Sequence, residues 1–185
     1  MSRILPLDEL NVLIGKYNSS SPDTPISRLY DLDDIIDDLL DLFLLAIANG
    51  VVSINEQFGT DYQPNAKQIE EVVYKKIDGL TWKDRVTDWY NNGGTGYDIA
   101  RIAETESHRI GNEAANEAAK AAGATKKTWV CMMLPTSRDD HVWLNGVTVP
   151  IDAEFYNDKG QSTLYPGQWG VPEQDINCLC ELSYS

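Results

Sequence analysis

The residues of this sequence with the most reactive side chains lie near its carboxyl end. Cys178 and Cys180 are separated by one residue, so in an extended strand both thiols point to the same face. With His141 as a base and Asp139 to orient it, either thiol could serve as the nucleophile of a hydrolase or transferase. Nothing in the sequence places a cysteine at a helix N-terminus or beside an oxyanion hole. We therefore expect the two thiols to be buried rather than catalytic.

The elements that must position these side chains begin with helices. Apolar residues recur at spacings of three and four from Leu32 to Phe43, which predicts an amphipathic helix. The segment 42–54 loses its polar face, so we expect it to be buried on nearly all sides within the chain or buried against another subunit. A solvated helix surface is the simpler interpretation of the acidic face, and a docking face for a basic partner is the alternative. That face consists of Asp33, Asp34, Asp37, Asp38 and Asp41.

Capping signals predict the helices that follow. Asn65 with Gln68 resembles a capping box, and Thr81 opens a short helix that ends at the glycine-rich segment 91–94. Thr95 with Asp98 begins the longest predicted helix, which runs to residue 122. We place a domain boundary after residue 94, with a helical docking region over 1–94 and a second domain over 95–185.

The remainder of the chain predicts a small β unit. Segments 128–134, 147–149 and 178–184 are β-prone, and the glycines and prolines between residues 160 and 172 predict long ordered loops. The predicted fold class is therefore α+β, with a mainly helical N-terminal region and a long helix packed on a small antiparallel β unit.

Charge and hydropathy exclude several classes of function. The net charge is −14, and no cluster of Lys and Arg offers a face for phosphates, so DNA binding is disfavoured. The longest apolar run, residues 42–48, is far shorter than the ~20 residues that a membrane-spanning helix needs. Three cysteines are too few and odd in number for a disulfide framework, which favours synthesis in the cytoplasm.

An ordered series of short motifs runs from about Tyr97 to the end of the chain. In their order and spacing these motifs resemble the Mu F-like minor head proteins of bacteriophages, and the resemblance covers nearly half of the chain. Glu104 departs from the family, which usually has Arg before the Thr-Glu pair. The motifs are Thr105-Glu106 with Asn112 and Ala114, then Lys127-Thr128-Trp129, then Arg138, Asp139, His141, Leu144 and Gly146, then Phe155, Tyr165-Pro166 and Asn177-Cys178-Leu179-Cys180.

This resemblance implies a structural virion component rather than an enzyme. Such a minor head protein would be made in the cytoplasm of the bacterial host and lie inside the phage head near the portal. It would act in head assembly, DNA packaging or ejection, with the portal protein, the major capsid protein or further copies of itself as partners. The alternative is a phage-delivered effector enzyme, a thiol hydrolase or transferase that uses His141 with Cys178 and Cys180.

The resemblance also implies a metal site. Related sequences place the second cysteine of a Cys-x-x-Cys segment where His141 stands, so His141, Cys178 and Cys180 become candidate ligands of a structural zinc. Cys131 is a candidate fourth ligand. Arg138 occupies the first ligand position and cannot bind a metal. For that reason we favour the simpler interpretation, in which the cysteines pack in the core and His141 bonds a backbone carbonyl.

Overall fold

A computed structural model describes residues 4–18 and 23–185 of the chain. It confirms the predicted α+β class: helices occupy most of the first 121 residues, and a small antiparallel sheet follows. The helices in that first part are α1 (Leu7–Asn18), a 3-10 turn (Ile26–Arg28), α2 (Leu32–Phe58), α3 (Ala66–Val73), α4 (Trp82–Asn91) and α5 (Gly96–Ala121).

The sheet packs against the C-terminal part of α5 and has the order β2-β1-β5, with both pairs antiparallel. A separate two-stranded ribbon joins β3 to β4. The elements of this part are β1 (Lys126–Val130), α6 (Asp139–Leu144), β2 (Thr148–Pro150), β3 (Phe155–Tyr156), β4 (Ser162–Thr163), α7 (Pro172–Asp175) and β5 (Glu181–Tyr184).

The capping signals gave correct helix starts at three positions. Asn65 with Gln68, Thr81 with Asp84 and Thr95 with Asp98 each form a reciprocal capping box. The pair Thr24-Pro25 is also typical of a helix start, but Pro25 caps only the 3-10 turn and α2 begins at Leu32.

The core is built where α2 crosses α5. Gly50 of α2 faces Gly111 and Ala115 of α5, and the lack of side chains there lets the two backbones approach closely. One hydrophobic core contains residues from both sides of residue 94. The two proposed regions are therefore packed together, and the boundary between them stays a prediction.

The second half of α2 is less buried than predicted. Leu44, Leu45 and Val52 are each 40% exposed or more, so burial on nearly all sides within the chain is wrong. Burial of this segment against another subunit stays a prediction. α5 covers one side of α2, and the opposite side keeps its apolar residues on the surface. None of the helices in residues 4–18 and 23–185 is both long and apolar enough to span a membrane.

The acidic face of α2 divides into two parts. Asp38 is half-buried and accepts hydrogen bonds from Lys16 and Tyr17 of α1. It therefore fixes one helix to the other, whereas Asp33, Asp34, Asp37 and Asp41 are exposed. A docking role for these four residues stays a prediction.

A buried ion-pair network lies on α5. The Arg109 guanidinium donates to Glu106 at 2.8 Å and to Glu113 at 2.9 Å, and it also bonds the Val72 carbonyl. Arg85 pairs with Glu106, and Lys75 with Glu113. Each charge of this network thus has an opposite partner, and the one-turn spacing of Glu106 and Arg109 is typical of such a pair.

Candidate metal centre

His141, Cys178 and Cys180 meet beneath the sheet. The His141 Nδ1 atom lies 3.5 Å from each sulfur, and the three ligand atoms are all within 4.8 Å of one another. All three residues are buried. This group of one imidazole and two thiols can hold a metal ion.

The chain positions the three ligands through one short helix and one extended segment. His141 lies on α6, a helix that the sequence pattern did not predict. Cys178 and Cys180 precede β5 and are not part of it, so their assignment to a strand is wrong, although both sulfurs reach His141. The Asn112 side chain donates to the Cys180 carbonyl at 3.2 Å and holds this segment on α5.

Arg138, at the position where related sequences are expected to carry a metal ligand, makes structural hydrogen bonds instead. Its guanidinium donates to the carbonyls of Glu173 and Ile176. These bonds connect the residue before α6 to the turn that leads into Cys178. Arg138 therefore holds together the two segments that carry the cluster, although it cannot itself bind a metal ion.

Two tryptophans form an aromatic wall around His141. Trp129 meets the imidazole edge-on at a centroid distance of 5.5 Å, and Trp169 stacks on it at 5.9 Å. The Nε2 atom of His141 is buried and has no hydrogen-bond partner in the part of the chain that the structure describes. The expected bond from His141 to a backbone carbonyl is therefore wrong.

The two thiols differ in acidity because they share one proton. Hydrogen bonding from Cys180, with smaller contributions from His141, lowers the pKa of Cys178 well below its usual value. The same hydrogen bond raises the pKa of Cys180, and burial raises it further. The pKa values of the two thiols are therefore shifted in opposite directions, and the two protons titrate as a coupled pair.

Asp139 and Cys131 lie outside this arrangement. Asp139 is exposed and makes no hydrogen bond to His141 among the described residues, so the orienting carboxylate of the thiol mechanism is missing. Cys131 is buried and its sulfur accepts a bond from the Met133 amide, but it does not belong to the ligand group.

A cavity of about 230 Å³ opens beside the cluster. All three ligand residues line it, together with Glu104 from α5. Burial raises the pKa of the Glu104 carboxyl. Glu104, His108 and Asn112 follow each other at intervals of four on α5, and this spacing could have shown that they share one helix face.

A second cavity, of about 240 Å³, lies between α4, α5 and the loop before α7. Its wall is mainly apolar, and Arg85 and Arg101 line it together with the acidic residues Asp78 and Glu106. The Arg101 Nε atom is buried and has no acceptor among the residues described. Asp175 also lines this cavity, and burial raises its pKa to about 6.

Comparisons with known proteins give one informative match. No family model matches the sequence, and no solved structure matches it. The NAD(+)–arginine ADP-ribosyltransferase EFV of Enterococcus faecalis is 36% identical over 84 residues, which are 43% of this chain. The chain spans only 17% of the length of that protein.

This similarity overturns the predicted function. A relative named as a transferase contradicts both a structural role in the phage head and the absence of enzymatic activity. The effector enzyme that we gave as the alternative agrees better with it. The resemblance to the Mu F-like family, the portal and capsid partners and the virion location stay predictions.

Proposed function

We propose that this chain functions in an effector transferase, and that His141, Cys178 and Cys180 hold a zinc ion that orders its β unit. The observation that carries the proposal is the ligand geometry. A tetrahedral zinc with its usual bond lengths to sulfur and nitrogen separates those atoms by about 3.6 Å. The distance from the His141 Nδ1 atom to each sulfur is 3.5 Å.

This zinc crosslinks two distant segments of the chain. It joins α6 to the segment that enters β5, across a separation of 37 residues between His141 and Cys178. The β unit has short strands, of five residues at most, so a metal crosslink adds stability that the sheet alone provides weakly.

Metal analysis of the purified full chain tests the zinc site. We expect one zinc per chain, lost in the double variant Cys178→Ser, Cys180→Ser and retained in Cys131→Ser, which removes the thiol outside the ligand group. A full chain that stays metal-free after purification with added zinc overturns the site.

The transferase part rests on the similarity to the enterococcal enzyme. We place the nucleotide in the 240 Å³ cavity, because Arg85 and Arg101 offer cations to a pyrophosphate at the edge of an apolar wall. The unpartnered Arg101 Nε is a donor available to such a ligand. Arg85 pairs closely with Glu106, whereas Arg101 makes only a longer contact of 3.4 Å with Asp98, so Arg101 is the residue to change first.

A labelling assay tests this part separately. We expect the zinc-loaded chain to transfer labelled ADP-ribose from NAD⁺ to an arginine-containing acceptor protein, and Arg101→Met to lower NAD⁺ affinity about tenfold. Arg28→Met, on the 3-10 turn, is the matched control and keeps full affinity. Zinc-loaded, folded protein that neither binds NAD⁺ nor labels the acceptor refutes the transferase function and leaves the metal site intact.

Thiol chemistry is the second candidate, and the lowered pKa of Cys178 favours it. The thiolate is a nucleophile, but Cys178 is only 3% exposed. Alkylation distinguishes the two candidates. Slow alkylation that becomes fast only after zinc is removed supports a structural site, whereas fast alkylation of zinc-loaded protein with loss of activity supports a thiol enzyme.

A further inference from the structure

We infer that a metal ion at His141, Cys178 and Cys180 keeps its fourth coordination position open to the adjoining 230 Å³ cavity, where it takes a small exchangeable ligand. This inference rests on the proposed zinc site and adds a binding function to it. Such an ion would bind water in the absence of another ligand, and small anions or imidazoles in exchange for that water.

The ligand count is the first argument. Zinc in structural sites takes four protein ligands, whereas sites with three keep one position for water or substrate. Cys131 is the nearest candidate for a fourth, but its thiol is outside the group of atoms that lie within 4.8 Å of one another. Its sulfur is also engaged with the Met133 amide, 3.5 Å away.

The direction of the open position is the second argument. Trp129 and Trp169 pack against the His141 ring, so an added ligand has no approach from the aromatic side. The cavity is lined by His141 and by both cysteines. An added ligand must therefore enter from the cavity, which is large enough for several water molecules at ~30 Å³ each.

The polar groups of the cavity are the third argument. Glu104 lines it and has no hydrogen-bond or ion-pair partner among the described residues, so its carboxyl is available to a metal-bound water. Ser137 and Thr136 add hydroxyl groups, and Arg138 adds a guanidinium. A cavity that served only packing would be lined by apolar side chains.

Cobalt-substituted full chain tests the open position. Thiolate-bound Co²⁺ absorbs in the visible range, and its spectrum changes when a ligand is exchanged. We expect azide and imidazole to shift the spectrum of the wild-type protein saturably, and Cys131→Ser to give the same spectrum and the same azide affinity.

A charge variant tests the cavity itself. Glu104→Gln removes a negative charge near the open position, so we expect azide to bind about tenfold more tightly. Glu70→Gln, on the exposed surface of α3, is the matched control and leaves azide affinity unchanged.

The outcomes separate this inference from the metal site. If Co²⁺ binds but the spectrum ignores azide and imidazole and changes in Cys131→Ser, Cys131 closes the site and the inference is overturned while the metal site stands. If azide shifts the spectrum but Glu104→Gln leaves its affinity unchanged, the ligand does not enter through this cavity and the inference fails in its stated form. If no Co²⁺ or Zn²⁺ binds, the metal site and the inference both fail.

Discussion

Gly50→Ala tests the close crossing of α2 and α5, on which the whole fold depends. A Cβ atom added at Gly50 would lie 2.6 Å from the Gly111 carbonyl oxygen and 3.2 Å from the Ala115 amide nitrogen. Both are backbone atoms of α5, so no side chain can rotate to make room. The two helices must move apart, and the contacts along their crossing are weakened.

The magnitude follows from two opposing effects. Overpacking a close contact costs about 1–3 kcal/mol, whereas replacing a helical glycine by alanine gains about 1 kcal/mol in helix propensity. We expect a net loss of up to about 2 kcal/mol in the free energy of unfolding. Gly15→Ala is the matched control, because Gly15 lies on α1 with no atom within 4 Å of the added Cβ, and it should gain up to about 1 kcal/mol.

Urea unfolding followed by circular dichroism measures both variants against the wild type. The expected order of midpoints is Gly15→Ala above wild type and wild type above Gly50→Ala, at equal m values. If Gly50→Ala unfolds at the same midpoint as Gly15→Ala or above it, the helices do not approach as closely as described, and the argument for the glycine crossing fails.

The remaining predictions concern buried charges and the metal centre. Arg109→Met leaves Glu106 and Glu113 with one partner fewer each, so the free energy of unfolding, measured in urea, should fall by about 3–5 kcal/mol. Lys67→Met is the control, because the ion pair of Lys67 is exposed. Its free energy of unfolding should change by less than about 1 kcal/mol. Lys127 is buried without a hydrogen-bond partner among the described residues, and burial lowers its pKa to about 8. Between about pH 8 and about pH 10.4, the unfolded chain therefore binds more protons at this residue than the folded chain does, so the free energy of unfolding should rise with pH. Unfolding of Lys127→Met, measured across this range, should lack that rise. Free zinc at a hundred times its Kd should stabilise the protein by about 3 kcal/mol, and a chelator should remove this gain. Thermal unfolding of Cys180→Ser should show neither effect. Arg138→Ala removes the hydrogen bonds to the Glu173 and Ile176 carbonyls. A zinc competition assay should show a zinc affinity about tenfold to a hundredfold lower. An unchanged zinc affinity would mean that the cluster does not depend on these bonds.

The sequence predicted the helical part well because its signals are local. The capping boxes at Asn65, Thr81 and Thr95 involve residues three apart, and the same pairs form the caps in the structure. The burial of α2 could not be predicted in the same way, because it depends on which side α5 covers. Leu44 and Val52 are apolar and yet exposed for this reason.

The residues of the candidate site could be predicted from the sequence, but the helix and the hydrogen bonds that hold them in place could not. The spacing of Cys178 and Cys180 gave the pair, and the resemblance to a family added His141. α6 was missed because it is only six residues long, begins with two acidic residues and shows no clear periodicity. The role of Arg138 was also hidden, since its partners are backbone carbonyls 35 and 38 residues away, and no residue pattern encodes such a bond.

The two halves of the molecule are coupled through neighbouring faces of one helix. On one side of α5, Gly111 and Ala115 meet Gly50 of α2. On the adjacent face, the Asn112 side chain donates to the Cys180 carbonyl, and burial of His108 beside Cys178 lowers the pKa of the imidazole. An ion bound at the cysteine segment, as proposed, would therefore stabilise the same helix on which the helical core packs. Metal binding should therefore raise the stability of the whole chain rather than that of the β unit alone.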